Sequence, residues 1–150
     1  MPEHNRTRET TMEVHLGALL VQDRASVDRR VERQAKATIR TVLALRDHPG
    51  ESEVARLTDT LLTYCAVLAN GVAAVPEADR CARGRAALIV WDGLRESGPA
   101  DGPLGTWSYP RHLAVCARDM LLSVRDYRET AAPASFIGRT GLPPVRTDTP

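Results

Sequence analysis

This chain of 150 residues predicts an all-α fold, an antiparallel four-helix bundle, and three observations carry that expectation. The longest run without a charge, residues 60–76 (TLLTYCAVLANGVAAVP), continues an apolar series through Val54, Leu57, Leu61, Cys65, Leu68, Val72 and Val75. Steps of three and four residues are the period of a helix with one buried stripe. Aromatic residues make up only 4% of the chain, so the core must be built from Leu, Val and Ala, which suits close helix–helix packing. Pro- and Gly-containing breaks divide the sequence into four periodic segments, with no alternating strand pattern and no repeat.

The first long helix is expected over 27–46 with Ser26 as N-cap. Its stripe is Val27, Val31, Ala35, Thr38, Ile39, Val42 and Leu45, and Asp47-His48-Pro49-Gly50 stops it. The second helix takes Ser52 as N-cap and Glu53 in the first turn, where a carboxylate meets the positive end of the helix dipole. It ends near Val75-Pro76, with Asn70-Gly71 as a place for bending. The third helix is read over 77–95, from the start signals Pro76, Glu77 and Asp79. Its apolar set wraps more than half its circumference, so it is expected to be the most central element. Residues 97–106 (SGPADGPLGT) read as a loop. The last helix is expected from Tyr109-Pro110 to Thr130, through Leu113, Ala114, Ala117, Met120, Leu121, Val124 and Tyr127. Helices of similar length, each about 30 Å, would complete the bundle.

The domain boundaries follow. Residues 1–25 form a flexible arm, of which 12–21 could be one short helix, 26–130 the bundle, and 131–150 a disordered tail containing Pro133, Pro143, Pro144 and Pro150. The tail segment GLPPVR resembles a polyproline ligand, against the plainer reading of a disordered end.

Composition narrows the function classes. A net charge of +1 gives no global attraction to nucleic acid or to an anionic membrane. Nineteen of the twenty basic residues are Arg, which with the Ala and Val content points to a high-GC, actinobacterial source. Cys65, Cys81 and Cys116 are an odd count without a C-x-x-C pair, which argues for a reducing compartment. Glu3, Glu9 and Glu13 interrupt any secretory leader, so the expected location is cytoplasmic. The 60–76 run is shorter than the roughly 20 residues of a membrane span and reads as a buried core helix.

Residues 27–129 resemble a family of small actinobacterial proteins of unknown function that carry the label "natural product biosynthesis protein". The resemblance rests on VARLTDTLLTYCAVLANGVAAVP, the entry EADRCARGRAAL, a Gly/Pro loop, and a closing Asp126-Tyr127-Arg128. It implies a setting in specialised metabolism and no catalytic residues. Gly84, the longer last helix and the extended tail depart from it.

Two surfaces could carry function. Arg29, Arg33, Lys36 and Arg40 are spaced 4, 3 and 4 along one helix face, opposite the apolar stripe. Such a stripe could meet an acidic partner or a phosphate backbone, or be a solvated face partly paired by Glu32 with Lys36. Trp91, Trp107 and Tyr109 could line a pocket at one end of the bundle, with Trp107 and Tyr109 following a lid-like loop, and His112 and Cys116, four apart on one face of the last helix, could add to it as two metal ligands or a thiolate–imidazole pair. The alternative is that these aromatics close a small core and the thiols act as small hydrophobes. Cys81 stands near a helix start, where exposure would lower its pKa, although Ala78 and Ala82 beside it argue for burial. No phosphate loop, dinucleotide fingerprint, nucleophile elbow, HExxH or zinc-ribbon spacing occurs. Neither cofactor nor metal is expected.

The leading expectation is therefore a non-catalytic helical interaction protein. Its partner would be another protein, a second copy of the chain included, rather than nucleic acid or a membrane. A nucleic-acid-binding regulator using the basic stripe is the alternative from another class, and a small enzyme or ligand carrier with a pocket among the helices is the third.

Overall fold

The computed structural model describes residues 27–132. The predicted arm, the Ser26 cap and the polyproline-like tail lie outside those residues. Four helices follow in order, α1 (Arg29–Ala44), α2 (Glu51–Ala74), α3 (Ala82–Ser97) and α4 (Gly102–Ala131), and no strand occurs among the described residues. The all-α bundle is thus the fold.

The α2 and α4 helices form an inner pair, and α1 and α3 each pack against both of them. Contacts fix the directions. Cys65 of α2 meets Leu113 of α4, and Gly71 lies beside Val124, so α2 and α4 run parallel. The α1 helix runs against α4, with Glu32 at Arg128 and Leu45 at Arg111. The α3 helix also opposes α4, with Cys81 at Ser123 and Leu94 at Tyr109. This is an up-down-up-down order.

Every member of the predicted α2 stripe is buried, from Val54 to Val75. By length and composition α2 could cross a membrane, but this stripe is spent on the protein core. Fully burying each Leu contributes about 1.5–3 kcal/mol. The α1 stripe also holds, with Val27, Ala35, Ile39 and Val42 buried and Val31, Thr38 and Leu45 half-buried.

The helix ends differ from expectation. Asp28 caps α1, its Oδ1 accepting from the Arg30 N–H at 2.9 Å. Gly50, at φ +100°, is the N-cap of α2, and Ser52 lies inside the first turn. Asn70-Gly71 does not end α2, which runs through it to Ala74, and the bare Cα of Gly71 lets Val27 close in. Residues 77–79 form one separate 3₁₀ turn instead of opening α3. Arg80 explains the break. Its guanidinium reaches back to donate to the carbonyls of Ala73 and Val75, both at 3.0 Å, satisfying the exposed end of α2.

The α4 helix starts seven residues before the predicted Tyr109. Asp101 precedes it, Pro103 takes the first turn, and the helix continues through Pro110, so the loop shrinks to residues 98–101. Pro110 donates no N–H, but it is buried, and Tyr109 beside it ties the helix down through its hydroxyl bond to Leu94 O at 2.8 Å. Packing outweighs the local cost.

The helices are also unequal. At 16, 24, 16 and 30 residues, they span about 24, 36, 24 and 45 Å. Both inner helices pack against all three others, and the longest, α4, does so most extensively and is the central element. The predicted central helix, α3, buries only Gly84, Ala87 and Trp91. Its apolar density misled because much of it is Ala, which favours a helix without demanding burial. Ala82 and Ala86 are exposed, as are Ile89 and Val90.

Candidate functional site

The basic stripe on α1 is exposed at Arg29, Arg33, Lys36 and Arg40. The structure joins its first three residues to α4. Because the helices are antiparallel, the last turns of α4 lie beside the first turns of α1. Arg29, Arg33 and Lys36 therefore face Arg125 and Arg128 across a groove of about 400 Å³ with Leu121 in its lining. Arg40 lies further along α1 and does not line it. Five cations thus surround the groove against two carboxylates, Glu32 and Glu129.

Glu32 does not pair with Lys36. It turns inward to Arg128, its side chain only 12% exposed, and so ties α1 to α4. Within 4.0 Å, Arg29, Arg33, Lys36 and Arg125 find no carboxylate among the described residues. Cations brought this close raise the local positive potential, and an anionic group entering the groove lowers it. The signal for the α4 half was present in the sequence as Leu121, Arg125 and Arg128 at spacings 4 and 3. Only the antiparallel pairing makes it one site with α1.

The second predicted site is not one site. Trp91 is buried in the core with Arg95 over its ring at 5.9 Å. Tyr109 is buried too, and burial pushes its hydroxyl pKa up. Trp107 lies elsewhere, in an open cavity of about 920 Å³ with Leu45, Leu104 and Arg111. Arg111 stacks over it at 5.7 Å, and the His48 ring approaches it at 5.8 Å. Arg111 also donates to Leu45 O at 2.7 Å, closing the end of α1. Trp107 is in the second turn of α4, so it belongs to no lid loop.

His112 and Cys116 share a third groove, of about 360 Å³, between α3 and α4. They do not form a thiolate–imidazole pair. Cys116 is buried and its thiol donates to Ala87 O at 3.4 Å. Cys65 likewise donates to Leu113 O at 3.4 Å. The neighbouring Cys116 thiol and burial push the Cys65 pKa up. Both thiols are buried and bonded to backbone carbonyls, so both behave as small core hydrophobes.

Cys81 departs from the burial argued from its neighbours: it is exposed, as are Ala78 and Ala82. It is the N-cap of α3, its sulfur accepting from the Gly84 N–H at 3.4 Å and lying 3.3 Å from the Ser123 hydroxyl. The Ser123 bond, then the Gly84 N–H, hold its pKa below the usual thiol value. Among the described residues, no three His, Cys, Asp or Glu side chains gather closely enough to hold a metal ion.

Comparison with known proteins finds one family. Residues 33–129 match a family of unknown function, DUF6415, a span that begins inside α1 and closes in the last turns of α4. No curated protein and no solved structure matches the chain.

Proposed function

Since the chain belongs to DUF6415, a family of unknown function, we propose from its own surface that it is a non-catalytic interaction protein whose α1/α4 groove receives an acidic segment of a partner protein. The observation that carries this reading is the assembly of five cations from two helices around one groove with an apolar contact at Leu121. Glu129 is the exposed acid on the rim, Glu32 being turned inward to Arg128, and it favours a peptide over a polynucleotide: a continuous phosphate backbone must pass it, whereas a protein segment can place a donor or a cation opposite it. No aromatic residue lines the groove to stack a base. The resemblance named above supports a setting in specialised-metabolite biosynthesis or its regulation, and three free cysteines support a cytoplasmic one.

The test uses the full chain and a variant with Arg29, Arg33 and Lys36 changed to Ala. Partners captured from the native host should be lost with the variant. Fluorescent poly-glutamate and a generic DNA duplex are then titrated at low and moderate salt. Groove-dependent binding of poly-glutamate that outlasts duplex binding as salt rises supports the proposal. Sub-micromolar, groove-dependent duplex binding at moderate salt overturns it in favour of the nucleic-acid regulator.

A further inference from the structure

We propose that the outward face of α3 is a self-association surface, on which a second copy of this chain packs its own α3 antiparallel about a twofold axis. The proposal is independent of the α1/α4 groove.

The core side of α3 is set by Gly84, Ala87 and Trp91. At 100° per residue the opposite pole is Ile89, which is 74% exposed, and Val90 beside it is 50% exposed. The face continues across the α3/α4 groove to Val115, also exposed. This apolar patch has no occupant within the described chain.

Gly93 sharpens the point. A helix-interior glycine costs about 1 kcal/mol relative to alanine. Gly84 has a reason to exist within the chain: a Cβ there would stand 2.4 Å from Ser123 Oγ and 3.2 Å from Val72, so α3 could not approach α4 and α2. Gly93 has none, since a Cβ there meets nothing within 4 Å. With Ala82 and Ala86 it forms a low flank beside Ile89, shaped for a second helix at close range.

Charge selects the occupant and its direction. The other flank of Ile89 carries Arg85, Asp92 and Glu96, all exposed. Two copies of α3 paired antiparallel about Ile89 bring each Arg85 to the Asp92 and Glu96 end of the other, and each Ala86 to Gly93. Parallel pairing sets this flank against the small-residue flank and matches no charges. The face is therefore complementary to itself in one orientation, the condition for a twofold interface. Within the single chain Asp92 contacts Arg95 at 3.1 Å and Arg85 reaches Arg80 O, and both contacts are exposed and exchangeable.

Sedimentation velocity over a concentration series tests this. The full chain should show a reversible monomer–dimer equilibrium in the micromolar range. Ile89→Glu should be monomeric with unchanged helicity and, at concentrations where the wild type is itself monomeric, unchanged melting, since Ile89 contacts solvent. Arg85→Glu should weaken the dimer several-fold, and Arg85→Glu combined with Asp92→Arg and Glu96→Arg should restore it. A wild-type chain that stays monomeric through the series overturns the proposal, as does a dimer indifferent to Ile89→Glu. A dimer that the triple exchange fails to restore overturns the antiparallel arrangement. Poly-glutamate binding by Ile89→Glu should match wild type, which keeps this result separate from the groove.

Discussion

The two flanking helices, α1 and α3, are the same length, yet they meet the inner pair in opposite ways. The α1 helix divides cleanly: Ala35, Ile39 and Val42 go inward, and cations go outward. The α3 helix buries only a glycine, an alanine and a tryptophan, and leaves an isoleucine and a valine in solvent. A helix buried on one side needs one apolar stripe, and α1 has one. The second apolar face of α3 has no use inside a monomer. The comparison teaches that apolar density does not place a helix at the centre. What does so is a partner on each side, which both inner helices have and α4 has most extensively.

The largest test breaks the inner pair on which both flanks rest. Leu61→Ala or Leu68→Ala should cost about 2–5 kcal/mol, because both side chains are fully buried mid-stripe. Chemical denaturation measures it, and a cost near zero for both would mean that α2 does not face the core.

The next test separates the two sides of α3. Gly84→Ala should destabilise by about 1–3 kcal/mol, the cost of forcing a methyl against Ser123 and Val72. Gly93→Ala, on the open side, should stabilise the monomer by up to about 1 kcal/mol. Equal effects in thermal melts at low protein concentration would erase the distinction between inside and outside.

A chemical test reads the same boundary through the thiols. Cys81 at the exposed start of α3 should be alkylated in the native protein, and Cys65 and Cys116 only after unfolding. Its lowered folded pKa means the thiolate is stabilised by folding. That contribution is present above the ordinary thiol pKa and fades as pH falls through the folded value. The rate of native alkylation should accordingly rise at a lower pH than for a free cysteine. Mass spectrometry of the sites, against pH, gives both answers, and a Cys65 adduct in the folded protein would contradict the burial described above.

The smallest effect lies on α1. Changing Arg29, Arg33 or Lys36 to Ala should alter stability by only about 0–1 kcal/mol each, while removing binding in the groove. A large loss of stability would recast the stripe as structural.

Much of this fold is legible in the sequence. The stripe of α2 and that of α1 read off residue by residue, because a 3.6-residue period survives any arrangement of neighbours. The exposed cations opposite the α1 stripe were legible for the same reason. The helix starts were less so. Arg80 capping the end of α2 from six residues past Ala74, and a buried Pro110 tolerated inside α4, are tertiary solutions to local problems. The pocket expected from Trp91, Trp107, Tyr109, His112 and Cys116 failed because Trp107 and Tyr109, read as the end of a loop, lie inside α4, where a two-residue spacing of about 200° sends them to opposite sides, and because the side of α3 that Trp91 takes is set by its neighbours. Those residues went to the core, to the end of α1, and to the α3/α4 groove.

By itself, then, the sequence determined that the chain is helical, where its apolar faces run, and that one helix presents a row of cations. Those properties depend on local period and composition. Tertiary structure decided that α4 is the centre, that Arg125 and Arg128 complete a groove begun by α1, and that the outer face of α3 is left open. Each of these depends on which helix lies beside which and in what direction. That is set by the shapes of whole faces meeting at once, by a Gly84 narrow enough to admit Ser123 and a Glu32 drawn inward to Arg128.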